Sequence, residues 1–107
     1  MVKHIVFFKL PEDFTQKDTL VAKLNHLKNQ ISYIKGLEVG INFTQSERAY
    51  DLVLTVVVSS KEDLEKYAID EQHLEVIDFI RSNGIETKVV DYEITKNGSG
   101  NFGTLLS

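Results

Sequence analysis

The run Val2-Lys3-His4-Ile5-Val6-Phe7-Phe8-Lys9-Leu10 constrains the fold of this chain more than any other feature. Strand alternation puts Val2, Val6, Phe8 and Leu10 on one side and Ile5 and Phe7 on the other, so both sides are largely apolar. A strand of this kind belongs in the middle of a sheet, covered from above and below. His4 shares a side with Val6 and Phe8. An ionisable ring aimed at a buried layer must find a hydrogen-bond partner or line a cavity.

The rest of the chain supplies the other elements. Pro11 to Thr15 breaks the first strand, and Thr15 with Asp18 predicts a capping box that opens a helix. Leu20, Leu24, Leu27, Ile31 and Ile34 form its apolar stripe, with Gly36 as the expected stop. Leu37, Val39, Ile41 and Phe43 alternate as a second strand, and the β-branched run from Tyr50 to Val58 reads as a central third strand. Ser60 and Asp63 open a second helix with Leu64, Tyr67 and Ala68 inside. Asp70 interrupts it and is placed to cap a further segment carrying His73, Leu74, Ile77 and Ile80. Asn83-Gly84 stops that segment, and Ile85 to Ile94 is the last strand.

The order β-α-β-β-α-β predicts an α+β, ferredoxin-like subunit: a four-stranded antiparallel sheet with two helices on one face. The two most apolar strands, first and third, are the two that this topology places centrally. The expected domain covers residues 1–96, and the glycine- and serine-rich residues 97–107 read as a flexible C-terminal tail.

The 107 residues suit one domain, and the charge excludes several partners. The net charge is -4 and the twelve basic residues are scattered, which argues against a nucleic-acid surface. With no cysteine, disulfides, thiolate catalysis and cysteine-bound metals are excluded. No apolar run approaches the ~20 residues of a membrane span, and no leading signal segment is visible, so a cytoplasmic protein without a membrane partner is expected. Two helices cover only one sheet face, yet the first and third strands are apolar on both. A lone copy would leave several hundred Å² of apolar sheet in water. A homodimer through the uncovered sheet face is the expected remedy.

Val2 to Leu10, Tyr50-Asp51-Leu52-Val53-Leu54, Tyr67 to His73 and Val90-Asp91-Tyr92-Glu93 together resemble the stress-responsive dimeric A/B barrel (Dabb) family over roughly residues 1 to 94. The resemblance implies two ferredoxin-like subunits sharing a β-barrel, each with a cavity between sheet and helices. One branch, of the olivetolic acid cyclase type, closes linear polyketides without metal or organic cofactor. Its pocket histidines and tyrosine fall on His4, His73 and Tyr67. The chain departs from that pattern where Asp70-Glu71 replaces a His-Pro before the helix histidine, and where Leu27 stands in place of a pocket tyrosine.

The candidate catalytic residues are therefore His4, Tyr67 and His73, with no cofactor and no metal expected. His73 would sit in the first turn of the segment capped by Asp70, where the helix dipole disfavours the imidazolium, as suits a general base. Its bland alternative is a histidine hydrogen-bonded to the Asp70 side chain. His4 has a bland alternative too, a structural bond to backbone or carboxylate. Tyr67 and His73 are six residues apart, ~120° around a continuous helix, and converge only if the helix breaks near Asp70. His26 reads as solvated, Asp91 and Tyr92 as residues of strand pairing, and the acidic run from Asp63 to Glu75 lacks metal-ligand spacing. The expectation is a stress-responsive homodimer with a small apolar ligand pocket, its activity left open by the sequence; the alternatives are a cofactor-free cyclase- or lyase-type acid–base enzyme acting on a polyketide-like carbonyl compound, and a non-catalytic stress or interaction protein whose two histidines merely satisfy hydrogen bonds. An antibiotic-biosynthesis-monooxygenase-like enzyme is the third alternative.

Overall fold

A computed structural model describes residues 1–94. The expected 97–107 tail lies outside the described residues. The elements are β1 (Val2–Lys9), α1 (Lys17–Gln30), β2 (Gly36–Ile41), β3 (Leu52–Val58), α2 (Lys61–Ile69), α3 (Glu71–Ser82) and β4 (Glu86–Glu93). One antiparallel sheet runs in the order β2-β3-β1-β4, so the two most apolar strands are indeed central. The fold is ferredoxin-like, with the second helical region divided into two helices rather than one.

The division has a local cause. Ser60 caps α2 by accepting a hydrogen bond from the Asp63 N–H at 3.1 Å. Asp70 ends α2 in an extended conformation and caps α3, its Oδ1 accepting the Gln72 N–H at 2.9 Å. At the far end of α3, Asn83 is followed by Gly84 at φ 65, the left-handed turn that glycine makes without strain.

Helix α1 departs from expectation at both ends. No side chain among the described residues caps it, and Gln16 takes the N-cap position in place of Thr15. The preceding turn, closed by Phe14 N–H donating to Pro11 O at 3.0 Å, seats Phe14 edge-on against Phe79 of α3 and fixes where the chain enters the helix. The helix stops at Gln30, about one turn early, because the chain must turn to start β2 beside β3: the Lys35 N–H donates to Val57 O at 2.7 Å. Gly36 opens β2 instead of ending the helix. Ile31 and Ile34 stay buried in the connecting turn, so the apolar stripe marks the core correctly although its last turn is not helical. Strand β2 likewise stops before Phe43, which is exposed.

The core lies between the helices and one sheet face. Val2 and Phe8 of β1 and Leu52, Leu54, Val56 and Val58 of β3 pack against Leu20, Leu24 and Leu27 of α1. Each such side chain contributes roughly 1.5–3 kcal/mol by burial, and Leu24→Ala would cost about 2–5 kcal/mol. Helix α1 lies against β2 and α2 against β1 and β3, while α3 leans mainly on α1 and α2. All of β4 is therefore exposed, and space is left under α3 beside β4. The register puts Ile5, Phe7, Val53, Val57, Val90 and Tyr92 on the opposite sheet face, and no helix of the described residues covers it. No helix among the described residues is long and apolar enough to cross a membrane.

Candidate functional site

His4 stands on the helix-facing side of β1, between Val2 and Val6. Its cross-strand partner in β4 is Asp91, and the register brings the two side chains together: His4 Nδ1 donates to Asp91 Oδ1 at 2.5 Å. The histidine side chain is only 14% exposed. A carboxylate on Nδ1 fixes the ring's orientation and leaves Nε2 for another partner. The bland alternative for His4 is thus half right: it bonds a carboxylate, and it also lines a cavity.

Tyr67 and His73 meet because the chain breaks at Asp70. The break turns α3 relative to α2, and the two rings stack with centroids 4.0 Å apart and planes 28° apart. His4 meets the same tyrosine edge-on at 5.7 Å. All three candidates therefore form one cluster around Tyr67. The Asp70 carboxylate is not bonded to His73; its Oδ2 accepts the Tyr33 hydroxyl at 3.2 Å while Oδ1 caps α3.

Two buried polar atoms in the cluster, Tyr67 Oη and His73 Nδ1, have no hydrogen-bond partner among the described residues. Tyr67 is 1% exposed. Burial, reinforced by Tyr33 and Asp70, pushes its hydroxyl pKa well up, so it stays protonated and able to donate. Burial also lowers the His73 pKa and favours the neutral imidazole. The carbonyls of Ala68 and Tyr67 act in the other direction, although neither forms a well-shaped hydrogen bond with Nδ1.

His4, Tyr67 and His73 all line a cavity of about 270 Å³. Its apolar wall comes from Val6 and Phe8 of β1, Leu24 and Leu27 of α1, and Val76 and Ile80 of α3. Leu27, which replaces a pocket tyrosine in the cyclase pattern, is part of that wall. Thr87 and Val89 of β4 and Arg81 of α3 also line it. Asp91, which the sequence reads as a residue of strand pairing, is also the carboxylate that orients His4, and only the β1–β4 register shows that it faces the histidine. Among the described residues no group of three or more His, Asp or Glu side chains is arranged to hold a metal ion.

The sequence pattern of the stress-responsive A/B barrel domain matches residues 2–94. The chain belongs to that family. The Dabb fold recurs in solved structures. One is a dimeric protein of unknown function and ferredoxin-like fold from Bacteroides fragilis, 30% identical, with 87% of this chain and 95% of that one covered at a TM-score of 0.72. An Arabidopsis thaliana protein is 20% identical over 90% of this chain and 97% of its own, with a TM-score of 0.77. The hydroxynitrile lyase of Passiflora edulis is 20% identical over 89% and 94%, with a TM-score of 0.76. No curated protein matches the chain.

Proposed function

We propose that this Dabb protein works as a homodimer, each copy holding a small, largely apolar carbonyl compound in its cavity, and that His73, Tyr67 and His4 act on that compound by acid–base chemistry. The observation that carries the proposal is the pair of unpartnered buried atoms, Tyr67 Oη and His73 Nδ1, at a cavity-lining cluster. A buried polar group without a partner costs about 1–3 kcal/mol, so the fold holds both atoms beside the cavity at a cost to its own stability.

The roles follow from the chemistry of each group. Neutral His73 takes a proton from the carbon beside the carbonyl. Tyr67, kept protonated, donates to the oxygen on which enolate charge develops. His4, oriented by Asp91 through Nδ1, presents Nε2 to the same oxygen. The proton on His73 then returns to carbon or to a leaving group, which restores the neutral base. The Passiflora edulis hydroxynitrile lyase has the same fold, and a lyase of that kind is in keeping with cofactor-free chemistry here. Dimerisation is supported by the uncovered apolar sheet face and by the relatives described as dimeric.

The test is hydrogen exchange at carbon. Methyl nonyl ketone is incubated with the protein in deuterium oxide, and loss of the hydrogens flanking the carbonyl is followed by NMR. Wild type should exchange them faster than buffer, and His73→Ala should lose about a hundredfold or more of that rate with unchanged sedimentation. Equal rates in both proteins would remove His73 as the base, and a wild-type rate no faster than buffer would remove the catalytic reading.

A further inference from the structure

The polar groups of the cavity are gathered at its two ends. His4, Tyr67 and His73 mark the end where α2 gives way to α3, closed by the buried tyrosine. Arg81, in the last turn of α3, and Thr87 of β4 mark the other end; both are exposed, as is Val89 of β4 between the ends, so the cavity opens along β4 and Arg81 stands at that mouth. The separation follows from two elements independently. His73 and Arg81 are eight residues apart on α3, about 12 Å at the helical rise. His4 and Phe8, the cross-strand partner of Thr87, are four residues apart on β1, about 13 Å at the strand rise. Between the ends the wall is apolar, formed by Val6, Leu27, Leu54, Val76, Ile77 and Ile80.

Arg81 forms no ion pair among the described residues. Asp78, one turn back, is exposed and unpaired with it; Glu86 lies on the opposite sheet face and accepts the Tyr50 hydroxyl at 2.6 Å. A cation in the last turn of a helix is favoured by the dipole, which is the plain account of a surface arginine. That account leaves unexplained why an arginine lines the mouth of an otherwise apolar cavity. Its planar fork of N–H donors matches a carboxylate. A chain of net charge -4 offers no general attraction to anions, so a preference for one would trace to this side chain.

The geometry points to a two-headed ligand: a medium-chain oxo acid with its carbonyl at the His4, Tyr67 and His73 end and its carboxylate held by Arg81 at the mouth. This rests on the cavity being a ligand site, as proposed above, and names the class of compound it takes.

Isothermal titration with two ligands of matched length separates the two ideas. One is methyl nonyl ketone; the other is the oxodecanoic acid whose ketone sits on the penultimate carbon. Wild type should bind the oxo acid about tenfold more tightly than the ketone at low salt, with the advantage shrinking as salt is added. Arg81→Gln should abolish the advantage and Arg81→Lys should keep part of it, with ketone affinity within about twofold throughout. Ketone binding with no gain for the oxo acid would overturn the Arg81 assignment alone. Failure of both ligands to bind would overturn the assignment together with the cavity reading. An advantage that survives Arg81→Gln would place the anion elsewhere and refute the proposal.

Discussion

If the proposed homodimer pairs through its sheet faces, replacing Phe7 by Ala should dissociate it without unfolding the subunits. Phe7 lies on the sheet face that carries no helix, opposite Val53 of β3 and Lys88 of β4. It is 40% exposed in a single copy, and on the same face Val90 and Tyr92 are 53% and 39% exposed. For an aromatic side chain of roughly 200 Å² this leaves about 80 Å² of Phe7 in water in each copy. Two-fold pairing covers it twice, about 160 Å² in all, or about 4 kcal/mol at 25 cal/mol per Å². The dissociation constant should therefore rise by about a thousandfold. The three residues together are worth on the order of 12 kcal/mol across both copies, against an association cost of ~4–15 kcal/mol, so loss of one is decisive. Within one copy the truncation also uncovers the buried part of the ring, roughly 120 Å² or about 3 kcal/mol, together with its edge-on contact with Tyr50 at 6.5 Å, so each subunit loses stability but keeps its helix-facing core. Sedimentation velocity across nanomolar to micromolar concentrations reads the constant, and urea unfolding checks that the variant remains cooperative. A change of less than about tenfold, or a wild type that sediments as a single well-folded copy at micromolar concentration, would refute the pairing of sheet faces.

Tyr67→Phe should stabilise the protein by up to about 1 kcal/mol in urea unfolding, because it removes a buried hydroxyl that no described residue satisfies, while slowing exchange of the ketone hydrogens. A loss of stability would mean that the hydroxyl has a partner within the protein. Stability should also decline on acidification. The His73 pKa is lowered in the folded state by burial, so below the ordinary imidazole value of about 6.5 the unfolded chain binds the extra proton; the stabilisation is full above that value and lost as pH falls through it. His73→Gln should flatten the fall in urea midpoint between about pH 7.5 and 5, and an unchanged slope would contradict the assignment. Asp70→Ala should cost about 1–2 kcal/mol through the lost cap of α3, and should slow exchange by freeing His73 from its stack on Tyr67. Full activity in that variant would show that the break does not position the histidine.

What the sequence determined by itself is what short-range rules control. The alternation in β1 and β3, the stripe of Leu20, Leu24 and Leu27, the Ser60 cap and the left-handed stop at Gly84 each depend on a few neighbouring residues. The break at Asp70 belongs with them; it permits Tyr67 and His73 to converge, and the packing of α3 brings the two rings together. The tertiary structure decided the rest. Helix α1 ends where β2 must meet Val57, whatever the apolar stripe favours beyond Gln30. His4 finds Asp91 across 87 residues of chain through a register that only the assembled sheet fixes. The cavity exists because α3 rests on the other helices and leaves β4 open beneath it. A local pattern names the side chains that will be buried; the empty space beside them is set by where whole helices come to rest, and that balance of packing involves the entire chain at once.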